Sequence, residues 1–148
     1  WQFSLGAVAA VFHDVLIVLG IFSLTYKYMP FNMEIDQAFI AAILTVIGYS
    51  LNDTVVVFDR VREYMHDNKK KQIHEFINQS LNSTLSRTIN TSLTTFFVLL
   101  VIFLFGGEVI KGFMFALMVG VIVGTYSSLF VASPIMVDTI KRKEIKNK

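Results

Sequence analysis

The sequence has no cysteine, two prolines and few charged residues. Only 16% of its 148 residues are charged, whereas 54% are hydrophobic and 14 are phenylalanine. A soluble domain carries about 25% charged residues and keeps roughly a third of its unfolded surface exposed, so this composition favours a membrane protein. The lack of cysteine excludes disulfides, thiolate metal sites and a cysteine nucleophile. The net charge of +2 does not favour nucleic-acid binding, which depends on an excess of cations.

Four long apolar runs follow one another along the chain, at about 5–25, 38–58, 88–106 and 112–136. A helix of about 20 residues crosses the hydrocarbon core of a bilayer. A transmembrane barrel would instead show alternating segments of about ten residues. The sequence therefore predicts an all-α fold, in which residues 1–148 form one polytopic transmembrane domain with four membrane-spanning helices in a bundle.

Lysine and arginine are distributed unevenly between the two ends of the predicted bundle. Five lie in the connection at about 59–86 and five in the tail at 137–148, against two, Lys27 and Lys111, in the other connections. Because cytoplasmic loops carry the excess of these residues, we expect the 59–86 connection and both termini in the cytoplasm.

The 59–86 connection shows helical patterning. Residues 59–67 continue the second run, and the apolar residues that follow have the spacing of an amphipathic helix: Ile73, Phe76, Ile77, Leu81 and Leu85. Two interpretations are open. The segment forms either a cytoplasmic helical hairpin with a cationic tip at Lys69–Lys71, or a helix that lies on the membrane surface against anionic lipid.

Ionisable residues inside the apolar runs are candidates for function, because each costs about 2.5–3.5 kcal/mol at the centre of a spanning helix. Asp53 lies in the second run next to Asn52, and Arg87 begins the third. Polar residues continue from Arg87 at helical spacing along one face of the third helix: Arg87, Asn90, Thr91 and Thr94. Such a face is expected to meet protein or water rather than lipid.

A hairpin brings the two charges to similar depth. The midpoint of positions 53 and 87 is position 70, inside the Lys69–Lys71 turn. Apolar surroundings favour a protonated carboxyl and a nearby guanidinium favours an ionised one. Asp53 is therefore predicted to bind and release a proton as Arg87, which stays cationic, approaches or leaves. The alternative is a structural role, either as a static ion pair between the two or as a polar clamp between helices.

His13 and Asp14 place two more ionisable groups in the first run. Adjacent residues point about 100° apart on a helix, so they do not form a pair of metal ligands, and no metal site is predicted. Two interpretations stay open. The two residues line a proton pathway or water cavity, or they form a structural hydrogen bond to a neighbouring helix.

The fourth run has a small residue at every fourth position: Gly112, Ala116, Gly120, Gly124, Ser128 and Ala132. Such a ridge lets another helix approach closely, which predicts packing within the bundle. A sliding surface in a moving transporter is the alternative. No nucleophile–base pair, metal-ligand cluster or phosphate loop is present in the sequence, so an enzyme is not predicted.

Four stretches resemble the SecF subunit of the bacterial SecDF protein-export machinery, which belongs to the resistance-nodulation-division superfamily of proton-driven transporters. They are residues 5–16 with His13-Asp14, 45–60 with Asn52-Asp53-Thr54, 81–95 with Ser86-Arg87-Thr88, and 124–134. The resemblance covers all four predicted spans. It implies a multi-pass protein of the bacterial cytoplasmic membrane.

The resemblance also implies that the chain is a fragment, lacking the first two spans and the periplasmic domain that engages the translocating polypeptide. It assigns Asp53 and Arg87 to proton conduction together with an aspartate supplied by SecD. SecD, the Sec translocon and membrane lipid are the implied partners. A separate SecF and the end of a fused SecDF both fit.

Two functions follow from these expectations. In the first, the chain couples proton flow to protein export, with the proton as coupling ion, sodium left open, and no cofactor. In the second, it is a structural module that holds SecD and the translocon together without ion coupling of its own.

Overall fold

The computed structural model describes residues 1–67 and 73–146, which form helices joined by short connections. The helices are α1 (Gln2–Thr25), α2 (Gln37–Asp67), α3 (Ile73–Phe105) and α4 (Glu108–Ser127), followed by a π-helical turn (Ser128–Ala132) and α5 (Ser133–Lys146). No strand occurs among these residues. Four helical stretches are long and apolar enough to span a membrane: Gln2–Thr25, Gln37–His66, Ile77–Phe105 and Glu108–Arg142. The predicted all-α membrane bundle is confirmed.

The helices end where the sequence supplies caps and breaks. Asp36 precedes α2, and its carboxylate accepts a hydrogen bond from the Phe39 amide at 2.8 Å, as an N-capping side chain does. Gly106 and Gly107 separate α3 from α4, and Gly107 adopts an extended conformation. Glu108 in the first turn of α4 pairs with Lys111, and its negative charge suits a helix N-terminus.

The second and third helices extend well beyond the predicted spans. α2 continues to Asp67 and α3 already begins at Ile73, so the 59–86 connection consists of the continuing ends of these two helices. The amphipathic stretch from Ile73 onward is therefore the first part of α3. The predicted Lys69–Lys71 turn, the side chains of Ile73 and Phe76, and Lys148 lie outside the described residues.

Two apolar clusters fill the bundle interior. One surrounds Ala10, Val57 and Met136, and the other surrounds Val18, Phe39 and Val46. Along the helices, buried polar side chains occupy positions between those of the two clusters: Asp14, Ser50, Asp53, Thr54, Ser92, Ser127 and Ser128. We call these seven residues the central polar layer.

The α3 helix is the least covered of the four. Only 11% of its most apolar stretch is buried, against 28%, 33% and 39% of the corresponding stretches in α1, α2 and the helix that begins with α4. α3 packs on α2 and α4 and leaves its outer side uncovered.

Candidate functional site

Asp53 of α2 lies in the central polar layer. Its side chain is buried, with 6% of the residue exposed, and its Oδ2 has no hydrogen-bond partner among the described residues. Ser92 and Arg87, both on α3, are its hydrogen-bonding and charged neighbours. A buried carboxyl oxygen without a partner is costly, so this environment suits a group that exchanges a proton better than a permanently satisfied ion.

Ser92 joins three helices beside Asp53. Its Oγ accepts hydrogen bonds from the Tyr49 hydroxyl of α2 at 3.2 Å and from Thr125 Oγ1 of α4 at 2.6 Å. The single hydroxyl hydrogen of Thr125 also has the Val121 carbonyl as an acceptor at 2.7 Å. When Ser92 accepts from both Tyr49 and Thr125, its own hydroxyl hydrogen is free for donation to the Asp53 carboxyl. The sequence analysis missed Ser92, Tyr49 and Thr125. For Tyr49 and Ser92 the sequence did contain a signal, because positions 49 and 92 are equidistant from the hairpin midpoint to within a residue.

The register of the α2–α3 hairpin agrees with the predicted depth of the two charges. The Tyr49–Ser92 contact and the 3.5 Å bond from Ser80 Oγ to the Arg60 carbonyl are both symmetric about position 70 to within a residue. Positions 53 and 87 share this symmetry. Asp53 and Arg87 are therefore level with each other along the hairpin.

Arg87 is nevertheless exposed, and it forms no ion pair with Asp53 within 4.0 Å in the described part of the chain. It lines a cleft of about 280 Å³ whose wall also carries Asp59, Arg60 and Glu63. Arg60 and Glu63 pair with each other at 2.5 Å. The static Asp53–Arg87 ion pair is thus not formed in this arrangement. Asp59 and Glu63 of α2, which line the same cleft, are alternative partners for Arg87.

All four residues of the predicted polar face of α3 are exposed: Arg87, Asn90, Thr91 and Thr94. Thr91 and Thr94 donate to carbonyl groups of the preceding turn, those of Arg87 at 3.0 Å and Asn90 at 2.9 Å. Asn52 of α2 is exposed as well. Hydrocarbon cannot satisfy a guanidinium or an amide, so this face requires protein or water against it.

Among the acids whose side chains the structure describes, Asp14 is the most buried, with 0% exposure. Its Oδ2 accepts hydrogen bonds from Ser50 of α2 at 2.5 Å and Ser127 of α4 at 2.7 Å. His13, partly exposed, places Nδ1 3.1 Å from Asp14 Oδ1, so the adjacent side chains touch despite their divergent directions. Of the two interpretations left open, the hydrogen bond to neighbouring helices is present, while pathway lining stays a prediction.

The small-residue ridge faces the bundle interior, where all six residues are buried: Gly112, Ala116, Gly120, Gly124, Ser128 and Ala132. A methyl group at Gly120 would collide with Val46 of α2, and one at Gly124 would lie 3.2 Å from Ser50 Cβ. The ridge thus lets α4 approach α2 closely at the level of the central polar layer. A sliding role for the ridge stays a prediction.

Four spanning helices that enclose two carboxyl groups and leave one polar helix face uncovered define a multi-pass membrane protein with ionisable groups inside the hydrocarbon region. The family described as "Protein export membrane protein SecD/SecF, C-terminal" matches residues 1–142. The chain therefore belongs to this SecD/SecF C-terminal family, as its motifs indicated, and is a multi-pass protein of the bacterial membrane.

Individual relatives agree. Protein translocase subunit SecF of Rhodothermus marinus is 60% identical over 138 residues, which is 93% of this chain and 45% of that protein. SecF of Desulfurispirillum indicum is 57% identical over 139 residues, 92% of this chain and 42% of that protein. The chain thus spans less than half the length of these relatives.

Two crystal structures of SecDF share the fold. One, in a form named super-membrane-facing, has a TM-score of 0.87 at 41% identity and covers 99% of this chain and 19% of that chain. The other, from Thermus thermophilus and described as a translocon-associated membrane protein, has a TM-score of 0.84 at 42% identity and covers 95% and 19%.

Proposed function

We propose that the chain is the C-terminal membrane region of a SecF-type translocase subunit and that Asp53 couples proton flow to protein export. The observation that carries this proposal is the buried Asp53 carboxyl with its unpartnered Oδ2 inside a spanning helix. The relatives named protein translocase subunit SecF and the SecDF structures support the export role. A proton that crosses the membrane potential supplies about 2.3 kcal/mol per 100 mV, enough to bias a rearrangement of helices.

Protonation changes the partner of Arg87. Ionised Asp53 accepts the Ser92 hydroxyl and attracts the guanidinium, which is level with it on α3. Protonated Asp53 carries no charge, so the guanidinium turns toward the carboxylates of Asp59 and Glu63 in its cleft. Each cycle of proton binding and release thus moves the Arg87 guanidinium, which stays positively charged, between two positions on the α2–α3 hairpin.

The proposed partner is SecD, or the SecD half of a fused chain. The exposed polar face of α3 supports this assignment, because Arg87 and Asn90 need a polar membrane helix against them. An acid on that helix is the group that completes the site, as the family resemblance implies. The translocon and the translocating polypeptide contact the full-length protein rather than this site.

The test is Asp53→Asn in the full-length complex, reconstituted with the translocon in vesicles. The amide keeps the size and polarity of the carboxyl but cannot ionise, so we expect export to lose its stimulation by the proton gradient while the complex still assembles. Asp138→Asn is the matched control, because Asp138 is an exposed acid of α5 paired with Arg142 at 2.8 Å. Undiminished stimulation in Asp53→Asn contradicts the proposal. Stimulation that follows an imposed sodium gradient instead identifies sodium as the coupling ion.

The structural docking module remains the second candidate, and one observation favours it. An apolar groove of about 610 Å³ runs between α3 and α4, with Ile89, Leu93, Ile122 and Phe130 among its lining residues. Docking alone predicts that polar substitutions in this groove abolish assembly while Asp53→Asn is harmless. Bulky substitutions on the Gly112–Ala132 ridge do not separate the two functions, because the ridge packs inside the bundle.

A further inference from the structure

A second carboxyl group, that of Asp14, lies wholly inside the bundle and is not part of the proposed Asp53–Arg87 site. Asp14 is 0% exposed and its Oδ2 accepts bonds from Ser50 at 2.5 Å and Ser127 at 2.7 Å. Two hydroxyl donors stabilise a carboxylate, whereas removal from water destabilises it. Asp14 thus has hydrogen-bond donors that suit a carboxylate, in a place removed from water.

Ser127 has a second acceptor for its hydroxyl hydrogen. Its Oγ lies 3.2 Å from the Gly124 carbonyl as well as 2.7 Å from Asp14 Oδ2. A serine has one hydroxyl hydrogen, so it donates to one of the two at a time. An ionised Oδ2 is the stronger acceptor. A neutral carboxylic acid is weaker, and the Gly124 carbonyl then competes for the hydrogen.

His13 lies between this acid and the surface of the bundle. Its side chain is 33% exposed and its Nδ1 lies 3.1 Å from Asp14 Oδ1. It is the titratable group that faces Asp14 from α1. From α2 the group in contact is Ser50, which does not titrate. From α4 the group in contact is Ser127, which does not titrate, and the described residues show no charged side chain of α4 in contact with Asp14.

We propose that Asp14 is a second proton-binding site, with His13 as its proton donor and Ser127 as a switching hydroxyl. The His13 imidazolium passes its Nδ1 proton to Asp14 Oδ1, which leaves a neutral imidazole and a neutral carboxylic acid. Oδ2 thereby becomes a carbonyl oxygen, and the Ser127 hydroxyl turns from Oδ2 to the Gly124 carbonyl. Return of the proton to His13 restores the carboxylate and the bond from Ser127 to Oδ2.

The position of Ser127 gives this switch a mechanical consequence. Ser127 is the last residue of α4 before the π-helical turn Ser128–Ala132, and the backbone of that turn packs directly on α1, where a methyl group at Gly6 would lie 2.7 Å from the Ala132 carbonyl oxygen. Proton uptake therefore loosens α1 from α4 next to an irregular turn. The proton site stands on its own contacts, whereas its coupling to export rests on the proposed function.

Infrared difference spectra of the full-length complex in vesicles, taken between acidic and alkaline buffer, test the site. A protonated buried carboxylic acid gives a carbonyl stretching band that a carboxylate lacks. We expect a band that disappears in Asp14→Asn and remains in Asp53→Asn and in the exposed-acid control Asp138→Asn. A spectrum of Asp14→Asn identical to that of the unaltered complex overturns the proposal.

Ser127→Ala tests the switch without removing the acid. The ionised form loses one of its two serine donors, so the pH range over which the Asp14 band appears should differ from that of the unaltered complex. An unchanged titration shows that Ser127 does not respond to the charge of Asp14 and overturns its role. If Asp53→Asn abolishes stimulated export while no band belongs to Asp14, the proposed function stands and this inference fails.

Discussion

The proposed coupling mechanism depends directly on the charge of Arg87. Its side chain is exposed, its neighbour Asp53 is buried, and the cleft it lines carries the acids Asp59 and Glu63. A guanidinium does not lose its proton in proteins, so Arg87 responds to changes in nearby negative charge and carries no proton itself. Its charge, rather than its hydrogen-bonding capacity alone, is what the mechanism uses.

Arg87→Gln removes that charge and keeps a polar side chain of intermediate length. We expect proton-stimulated export to fall at least about tenfold, which corresponds to about 1.4 kcal/mol of lost charge interaction. Arg87→Lys keeps the charge and should retain part of the stimulation. The measurement is export by the full-length complex with and without a proton gradient. Arg142→Gln, on an exposed cation of α5, is the control, and equal export by the two glutamine variants contradicts a role for the Arg87 charge.

At the scale of the element, α4 depends on glycine where it meets α2. A methyl group at Gly120 would collide with the Val46 side chain, which is itself 1% exposed. The close approach of α4 to α2 at Gly120 and Gly124 sets the distance across which Ser50 and Ser127 both reach Asp14. The packing of the ridge and the geometry of the polar layer are therefore linked.

Gly120→Ala should lower the free energy of unfolding by about 1–3 kcal/mol, the usual cost of overpacking a tight contact. Gly48→Ala is the matched control, since a methyl group there has no heavy atom within 4 Å and alanine favours a helix interior by up to about 1 kcal/mol over glycine. Thermal unfolding of the full-length subunit in detergent compares the two. A Gly120→Ala protein as stable as Gly48→Ala rules out the close α2–α4 contact.

The elements differ in how well the sequence predicts them. The four spans follow from the lengths of the apolar runs, and the shared depth of Asp53 and Arg87 follows from the symmetry of a hairpin. The π-helical turn was not predicted, because the four-residue spacing of the ridge continues through Ser128 and Ala132 as if α4 were uninterrupted. The turn lies just before Pro134, which has no backbone N–H to continue the regular hydrogen-bond pattern, and its backbone packs on α1 at Gly6.

The hydroxyl network of the central polar layer was also beyond sequence reasoning. Serine and threonine in a membrane helix usually bond to carbonyls of their own helix, as Thr91 and Thr94 do. Ser92 and Ser50 instead serve neighbouring helices. Only the rotation of each helix about its axis distinguishes the two cases, and that rotation is set by packing.

At the scale of the whole molecule, the bundle is covered unevenly. α1, α2 and α4 bury the polar layer between two apolar clusters, whereas α3 turns Arg87 and Asn90 outward. A surface of this kind is stable in a membrane only with a polar partner or water against it. The exposed face of α3 is thus where we place the SecD partner.

The SecD partner is assigned to one face of α3, so cross-linking from that face tests the assignment. A photoreactive amino acid in place of Asn90 should form an adduct with the SecD partner in the full-length complex, since Asn90 lies on the polar face. The same substitution at Val8, on the exposed apolar side of α1, is the control and should give at least about tenfold less adduct. Equal yields at both positions, measured by gel mobility and mass spectrometry, place the partner elsewhere.

The most direct measurement is proton uptake by vesicles that contain the full-length complex, with a membrane potential imposed and internal pH followed by a dye. If Asp53 carries the proton, the unaltered complex and Asp138→Asn acidify the vesicles, while Asp53→Asn stays at the level of protein-free vesicles. Uptake by Asp53→Asn equal to that of Asp138→Asn would contradict the account.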